Sequence, residues 1–158
     1  MILFHGSNIS FDKVSLDFAK AKRDFGKGFY TTTIKEQATS WAENLCKRYK
    51  TQTAYLYTFE FSSTGLTIKM FESLSREWLD FIIANRVNEN TQHHFDVVIG
   101  AVANDRIMDT ISFFLAGIYT VEEALKRLEY MKPNNQVSLH TEKTISNLKL
   151  IRKDKWNV

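Results

Sequence analysis

The sequence predicts an α+β fold in one domain, residues 1–158. Segments with strand character alternate along the chain with segments of helical spacing, which favours sheets and helices packed around one core. Several strand segments carry aromatic residues at every second position, as half-buried strands do. No repeat, low-complexity stretch or linker interrupts the 158 residues, which are enough to bury such a core.

The composition excludes several classes of protein. Hydrophobic residues make up 44% of the chain and charged residues 25%, values typical of soluble globular proteins. A net charge of +3 is too small to indicate nucleic-acid binding without a local basic patch. The one cysteine, Cys46, excludes an intrachain disulfide framework. Because there is neither an apolar run of roughly 20 residues nor a basic leader, we expect a cytoplasmic protein without a membrane span.

The first two strands lie on either side of a polar segment. Ile2–Phe4 has strand character and ends at His5-Gly6-Ser7, which places a histidine, a glycine and a hydroxyl at a strand end. The second strand is predicted at Phe29–Thr32, where aromatic and β-branched residues follow one another. An exposed turn histidine is the simple interpretation of His5, and a binding role is the alternative.

Residues 24–33, DFGKGFYTTT, form a glycine bend that leads into the second strand. Gly26 and Gly28 can take dihedrals closed to other residues, and their missing side chains let another backbone or a flat ligand come close. Lys27 lies between the two glycines, and a basic cluster at residues 20–23 precedes them. The pattern fits an ordinary bend as well as a ligand-binding loop.

A long helix is predicted from Ile34 to Tyr49. Thr33 followed three residues later by Glu36 is a capping-box pattern, which predicts that the Thr33 hydroxyl starts this helix. Apolar residues recur at helical spacing along it, and Trp41 falls on that stripe. We therefore expect Trp41 in the core.

Further strands and helices follow. One helix is predicted to start with Asn104 or Asp105 as its N-cap and to end at Gly117. The next is predicted to start with a capping box of Thr120 and Glu123 and to be stopped by Pro133. The predicted strands are Thr53–Phe61, Phe95–Gly100, Gln136–Thr141 and Leu148–Ile151, the last followed by a basic tail, and the predicted helices are Ser75–Val87, Arg106–Ala116 and Thr120–Met131.

Several of these motifs resemble, in the same order, a bacterial family of uncharacterised proteins assigned to the ADP-ribosyltransferase-like fold. The resemblance extends over nearly the whole chain, which makes chance similarity a poor explanation. It rests on His5-Gly6-Ser7, Asp24-Phe25-Gly26, Gly28-Phe29-Tyr30, Trp41-Ala42, residues 77–81, Asn85-Arg86, residues 96–100, Ala103-Asn104-Asp105 and the strand that begins at Gln136.

The resemblance implies a split, mostly antiparallel two-sheet core with flanking helices that binds NAD in a cleft. It implies that His5 holds the adenosine-side ribose, that the backbone of Gly6 contacts the nicotinamide amide, and that Tyr30 stacks on the nicotinamide ring. The predicted catalytic residues are His5, Tyr30, Gln136 and Asp105. The predicted cofactor-binding residues are His5, Gly6, Ser7, Gly26, Gly28, Phe29, Tyr30, Arg86 and Asn104, with Arg86 and the basic cluster at residues 20–23 as partners of the pyrophosphate.

The third motif position departs from the pattern that the resemblance implies. A late strand of such proteins usually opens with a glutamate that holds the nicotinamide ribose, and here that strand opens with Gln136. A carboxamide orients a hydroxyl by hydrogen bonding but brings no negative charge, and losing a catalytic carboxylate typically lowers the rate on the order of 10² to 10⁴. Asp105 is the first candidate to supply the missing charge, and Glu142 ranks below it.

The leading functional hypothesis is an NAD-dependent ADP-ribosyltransferase with an unknown protein or nucleic-acid acceptor. The resemblance suggests a toxin or phage-defence effector with a neutralising partner protein. A non-catalytic module that binds an NAD-like ligand or a protein is the alternative, and Gln136 favours it. Nucleic-acid binding through the basic C-terminal residues is a third. A metal site built from His5, His93, His94 and His140 ranks last because these residues lack the spacing of metal ligands.

Overall fold

The computed structural model describes residues 1–87, 91–128 and 134–158. Within those ranges strands and helices are intermixed along the chain, as the sequence predicts. The elements are β1 (Ile2–Ser7), β2 (Phe29–Thr31), α1 (Lys35–Tyr49), β3 (Thr53–Phe61), β4 (Ile68–Met70), α2 (Arg76–Val87), β5 (Val97–Gly100), α3 (Asp105–Leu115), α4 (Val121–Leu128), β6 (Gln136–Leu139), α5 (Glu142–Ser146) and β7 (Leu148–Asn157). None of these helices is long and apolar enough to cross a membrane.

The strands form two sheets. Sheet 1 has the order β1-β3-β7 and is antiparallel throughout. Sheet 2 has the order β2-β6-β5-β4, in which only β4 and β5 run parallel. The predicted α+β class with two mostly antiparallel sheets is therefore confirmed.

The apolar faces of the two sheets share a core. Leu3 and Phe59 from sheet 1 pack with Val97, Val137 and Leu139 from sheet 2, all at most 2% exposed. Burying such side chains stabilises a fold by about 1.5–3 kcal/mol each. Because neighbouring residues of a strand point to opposite faces, each sheet also presents an outer face that a helix can cover.

Helices cover both outer faces. Helix α1 packs its small residues Ala42 and Cys46 against Ala54 of β3, and its Ala38 is also buried. On the outer face of sheet 2, Val98 of β5 lies in a cluster with buried residues of α2, α3 and α4, which include Trp78, Leu79, Ile82, Ile107, Ile111 and Leu128. The chain is thus layered as helix, sheet, sheet and helices.

The predicted start of α1 is wrong in its capping. The N-cap is Ile34, and no side chain caps the helix there. The Thr33 hydroxyl, which was predicted to be the cap, instead accepts a hydrogen bond from Asn135 Nδ2 at 2.7 Å. The prediction for Trp41 is also wrong. This side chain is 45% exposed, because the buried stripe of α1 consists of Ala38, Ala42 and Cys46 and does not include position 41.

Other predicted helix signals are confirmed. Asn104 is the N-cap of α3, and its Oδ1 accepts the Ile107 N–H at 3.1 Å. The Thr120 and Glu123 side chains each accept the other residue's backbone N–H, as a capping box requires. Pro133, the predicted end of the following helix, lies outside the described residues.

Candidate functional site

The two sheets are joined where β1 meets β2. Phe4 N–H donates to Thr32 O at 2.8 Å, and Thr32 N–H donates to Phe4 O at 2.9 Å. One residue further along, His5 Nδ1 donates to Tyr30 O at 2.7 Å. Because a carbonyl oxygen only accepts, Nδ1 carries the proton, and Nε2 of the neutral ring is left as an acceptor. Burial lowers the pKa of His5, which favours this neutral form.

His5 and Tyr30 point to opposite faces. The His5 ring lies against the inner core, with its centroid 4.5 Å from that of Phe29, whereas the Tyr30 ring packs in the outer cluster of sheet 2. Their link is the backbone of β2. Two shallow hollows on sheet 1, lined chiefly by residues 60–64 and by residues 155–157, contain neither side chain.

The Tyr30 hydroxyl holds residues 24–28, which we call the glycine loop. It donates to Gly26 O at 2.7 Å and accepts the Phe25 N–H at 3.0 Å. Burial raises the pKa of Tyr30, so the hydroxyl stays protonated and keeps donating. The Tyr30 side chain therefore fixes the backbone of the predicted binding loop at Phe25 and Gly26.

Both glycines of the loop are required by close packing. Gly26 has φ of +87°, and a Cβ there would lie 2.7 Å from Asn85 Oδ1. A Cβ on Gly28 would lie 2.7 Å from His140 Nδ1 and 2.8 Å from Leu139 O. Distances below 3.0 Å force a shift of the neighbouring atoms. The loop thus lies tightly on α2 and β6.

Asp24 is the centre of a buried charged group at one end of the loop. The residue is only 5% exposed. Its Oδ1 accepts Arg86 Nε at 2.8 Å and also pairs with Arg86 Nη2. Its Oδ2 accepts Ala103 N–H at 2.9 Å and Gln136 Nε2 at 2.8 Å. We call Asp24, Arg86, Ala103 and Gln136 the Asp24 cluster.

This cluster fixes the orientation of the Gln136 amide. Nε2 lies 2.8 Å from Asp24 Oδ2 and 3.4 Å from Ala101 O. Both neighbours are acceptors, so the amide nitrogen must occupy that position. The other amide atom, Oε1, forms no hydrogen bond with any residue that the structure describes. Gln136 therefore offers a fixed acceptor.

The carbonyl groups of the loop that follow Asp24 are held by neutral groups. His93 Nε2 donates to Phe25 O at 2.9 Å, and His140 Nδ1 donates to Lys27 O at 2.8 Å. His140 Nε2 lies 2.7 Å from the Ser138 hydroxyl. Burial lowers the pKa of His140 to about 4 and also lowers the pKa of His93. We call His93, Ser138 and His140 the histidine cluster.

The histidine cluster does not form a metal site. The ring centroids of His93 and His140 lie 4.4 Å apart, and both rings use a nitrogen to hold a loop carbonyl. Within residues 1–87, 91–128 and 134–158, no three His, Cys, Asp or Glu side chains are grouped to hold a metal ion.

The remaining predicted residues have separate positions. A Cβ on Gly6 would lie 1.9 Å from Ala38 O, so Gly6 lets α1 approach β1. The Ser7 hydroxyl closes a turn by bonding the backbone of Ile9. Asp105 is exposed in the first turn of α3 and forms no hydrogen bond or ion pair with the described residues.

The predicted pyrophosphate partners divide into two groups. Arg86 is committed to Asp24 and has its guanidinium fixed there. The exposed residues Lys20, Lys22 and Arg23 precede the loop, and Lys27 is exposed within it. These side chains, rather than Arg86, give the loop an accessible positive surface.

Comparison with known proteins identifies a family. The model of DUF3990, described as a protein of unknown function, matches residues 1–150. The chain belongs to the DUF3990 family. Neither the curated proteins nor the solved structures contain a match. The part that matches the DUF3990 model includes the glycine loop and both clusters, so these features lie inside the region that defines the family.

Sequence reasoning missed the central role of Asp24 and the role of the histidine cluster. The signal lay in β6 and the residue after it, where Gln136, Ser138 and His140 recur at every second position and alternate with the apolar Val137 and Leu139. Gln136 is 7% exposed and Ser138 is fully buried. Because buried polar side chains need hydrogen-bond partners, such a stripe indicates a buried polar network, and its partners here are the glycine loop and Asp24.

Proposed function

We propose that this protein is an NAD-dependent ADP-ribosyltransferase that acts on a macromolecular acceptor. The observation that carries the proposal is that hydrogen bonds link three segments which the sequence resemblance relates to NAD binding. β1 and β2 are joined by the bond from His5 to Tyr30 O, and the start of β6 is joined to the glycine loop by the bond from Gln136 to Asp24. These are non-local contacts that the local sequence does not require.

The residues offer acceptors that suit the hydroxyls of a ribose. NAD supplies the reactive bond, between the nicotinamide nitrogen and the ribose carbon. It breaks with its electron pair going to nicotinamide, which leaves neutral while positive charge develops on the ribose. A nucleophilic atom of the acceptor then bonds to that carbon and gives up its proton to solvent. Gln136 Oε1, which has no hydrogen-bond partner among the described residues, accepts a hydrogen bond from one ribose hydroxyl. His5 Nε2 accepts from a hydroxyl of the second ribose, and its bond to Tyr30 O fixes the tautomer that makes this acceptor available.

Asp105 is the carboxylate that we assign to the developing charge. Asp24 is unsuited to that role because Arg86 neutralises it and the protein buries it. Asp105 is exposed, and it lies two residues after Ala103, whose N–H binds Asp24. It therefore belongs to the segment that borders the Gln136 amide. A fixed carboxylate in such a position stabilises positive charge in the transition state.

Transfer of label tests the proposal. The purified protein is incubated with NAD labelled in the adenylate half and with bacterial lysate, in parallel with His5→Ala, Gln136→Ala and Asp105→Asn. We expect labelled macromolecules with the wild-type protein and at least about a tenfold decrease with each variant. Equal labelling by all four folded proteins would contradict the assignment of the site.

A non-catalytic module that binds an NAD-like ligand or a protein is the second candidate. The observation that favours it is the neutral amide at the position of a catalytic glutamate, next to a carboxylate whose charge Arg86 balances. Titration with NAD, followed by measurement of free nicotinamide, separates the two. Saturable binding without release of nicotinamide supports the module, and release supports the transferase.

A toxin or phage-defence role with a neutralising partner protein is the biological setting that we propose for the transferase. Its support is the sequence resemblance alone. Induced expression in bacteria tests it, with Gln136→Ala as the comparison. We expect growth arrest with the wild-type protein and normal growth with the variant, and equal growth of both strains at equal protein levels would contradict the role.

A further inference from the structure

One aromatic ring of the protein occupies a slot formed by three others. Phe11 stacks on Tyr57 with the ring centroids 3.9 Å apart and the planes inclined by only 10°. The edges of the slot are His5, whose centroid lies 5.7 Å from that of Phe11, and Phe29, at 6.3 Å and an interplanar angle of 89°. Phe11 is thus enclosed on several sides by rings, in the arrangement that proteins use to hold a flat ligand.

Phe11 belongs to an irregular segment, residues 8–15, which we call the strap. No helix or strand includes any part of it. Phe11 N–H donates to the Tyr57 hydroxyl at 2.7 Å, and Lys153 Nζ donates to Phe11 O at 3.0 Å. Lys153 also pairs with Asp12, whose side chain is fully exposed, and exposed ion pairs contribute little to stability. Side chains of β3 and β7 therefore hold the strap in place.

We propose that the slot between His5, Phe29 and Tyr57 is a binding site for the planar ring of a nucleotide, and that Phe11 fills it until the ligand displaces the strap. The ring of Phe11 has the shape of the ligand's ring. His5 lies directly beneath the strap, so a ligand in the slot also reaches the acceptor nitrogen of His5.

The charge at the mouth of the slot selects an anionic ligand. Lys153 Nζ lies 5.4 Å from the centre of the Tyr57 ring and also interacts with the Tyr57 hydroxyl, and two of its hydrogen-bond acceptors, Phe11 O and an Asp12 oxygen, belong to the strap. When the strap leaves, the ammonium group loses both. A phosphate attached to the ligand accepts from Lys153 in their place. The ring of the ligand thus replaces the Phe11 ring, and its phosphate replaces Phe11 O and the Asp12 carboxylate.

Removing the Phe11 ring tests the proposal by changing the competition for the slot. The apparent dissociation constant of a ligand is its intrinsic value divided by the open fraction of the site. We expect Phe11→Ala to bind adenosine monophosphate at least about tenfold more tightly than the wild-type protein in calorimetric titration. Adenosine should gain by a similar factor, and inorganic phosphate, which has no ring to fill the slot, should bind both proteins much more weakly than the nucleotide. Equal or weaker binding of the nucleotide by the variant would overturn the proposal.

The milder variant Tyr57→Phe tests the same proposal if Phe11→Ala fails to fold. Tyr57→Phe keeps the ring of the slot but removes the hydroxyl that holds the Phe11 N–H. Tyr55→Phe is the matched control, since Tyr55 lies two residues earlier on the same face of β3 and bonds no strap atom. We expect faster amide hydrogen exchange at Phe11 and tighter nucleotide binding only in Tyr57→Phe, and identical behaviour of the two variants would refute the strap.

Binding to the slot requires no transfer chemistry. A protein that binds the nucleotide as described but releases no nicotinamide from NAD would support the slot and contradict the transferase. Nicotinamide release with unchanged nucleotide binding in Phe11→Ala would do the reverse. The two proposals can therefore fail separately.

Discussion

Two parts of the glycine loop are held by groups of opposite electrostatic character. At the Asp24 end, a carboxylate accepts from a guanidinium, an amide and a backbone N–H. Along the rest of the loop, His93 and His140 donate to Phe25 O and Lys27 O as neutral rings. The first part depends on charges staying present, and the second depends on charges staying absent. The glycine loop is therefore loosened either by removing a charge from the Asp24 cluster or by adding one to the histidine cluster.

The comparison also explains which part can carry a ligand. The histidine cluster uses its polar atoms in hydrogen bonds to the loop and to Ser138, which is fully buried. The Asp24 cluster leaves Gln136 Oε1 unused among the described residues. We infer that the histidine cluster serves the loop's shape, whereas the Asp24 cluster serves both shape and binding.

The largest predicted effect comes from Asp24→Ala. Removal of the carboxylate leaves the Arg86 charge, the Gln136 amide and the Ala103 N–H without their acceptor. Breaking a buried ion pair in this way lowers the free energy of unfolding by about 3–5 kcal/mol. Asp80→Ala is the matched control, because Asp80 pairs with Arg76 on the exposed face of α2, and such a pair is worth less than about 1 kcal/mol.

Urea unfolding of both variants measures this contrast. We expect a clear fall of the midpoint for Asp24→Ala and almost none for Asp80→Ala, with unchanged slopes. Equal shifts for the two aspartates would mean that the Asp24 cluster behaves as an ordinary surface pair.

Acidification should loosen the rest of the loop. Burial lowers the pKa of His140 from 6.5 to about 4, so in this pH interval the unfolded chain binds a proton that the folded protein does not. The stability that His140 contributes is therefore complete above pH 6.5 and is lost as the pH falls toward 4. The loss approaches about 3 kcal/mol, at roughly 1.4 kcal/mol per unit of pKa difference.

His140→Gln isolates this effect because an amide can donate to Lys27 O without titrating in that range. We expect a flatter dependence of the unfolding free energy on pH between 6.5 and 4 than in the wild-type protein. Asp96 does not interfere, since hydrogen bonds from Thr67 lower the pKa of its carboxyl below 3.8 and its contribution is lost only at lower pH. A wild-type stability that is constant over this interval would contradict the prediction.

Moving the negative charge from Asp24 to position 136 should change the free energy of unfolding less than Asp24→Ala does. Gln136→Glu replaces a donor by a carboxylate next to Asp24 Oδ2 and Ala101 O, and we expect a loss of about 2 kcal/mol because two acceptors then face each other. Adding Asp24→Asn restores a donor opposite an acceptor. The double variant should be more stable than the sum of the single changes by at least about 1 kcal/mol, measured by urea unfolding in a double-mutant cycle. Additive effects would mean that the two side chains do not interact.

The sequence predicts the elements of this fold better than it predicts the partners of its polar residues. Local signals were sufficient for the Asn104 cap and for the capping box at Thr120, because the partner of each lies within three residues. The Thr33 capping box failed because Asn135, about a hundred residues away, competes for the same hydroxyl. The last strand was predicted to end at Ile151 but continues to Asn157, since pairing with β3 rather than an apolar alternation extends it.

The candidate site shows the same division. That His5, Tyr30 and Gln136 lie on separate strands was readable from the sequence, as was the glycine bend. That Asp24 binds Gln136 was not, since these two residues are 112 positions apart and no local pattern relates them. Similarly, residues 24–28 gave no sign that two histidines from distant parts of the chain hold their carbonyls.

The smallest effect on stability and the sharpest effect on function are expected from Asp105→Asn. Asp105 has no polar partner among the described residues and interacts only with the dipole of α3, so the free energy of unfolding should change by less than about 1 kcal/mol. If Asp105 stabilises the developing ribose charge, the rate of nicotinamide release should fall on the order of 10² or more. Asp109→Asn, one turn further along the same helix and also exposed, provides the control and should keep full activity. A similar rate for both variants would remove Asp105 from the mechanism and leave the neutral Gln136 amide at a site without a catalytic carboxylate, as the binding module requires.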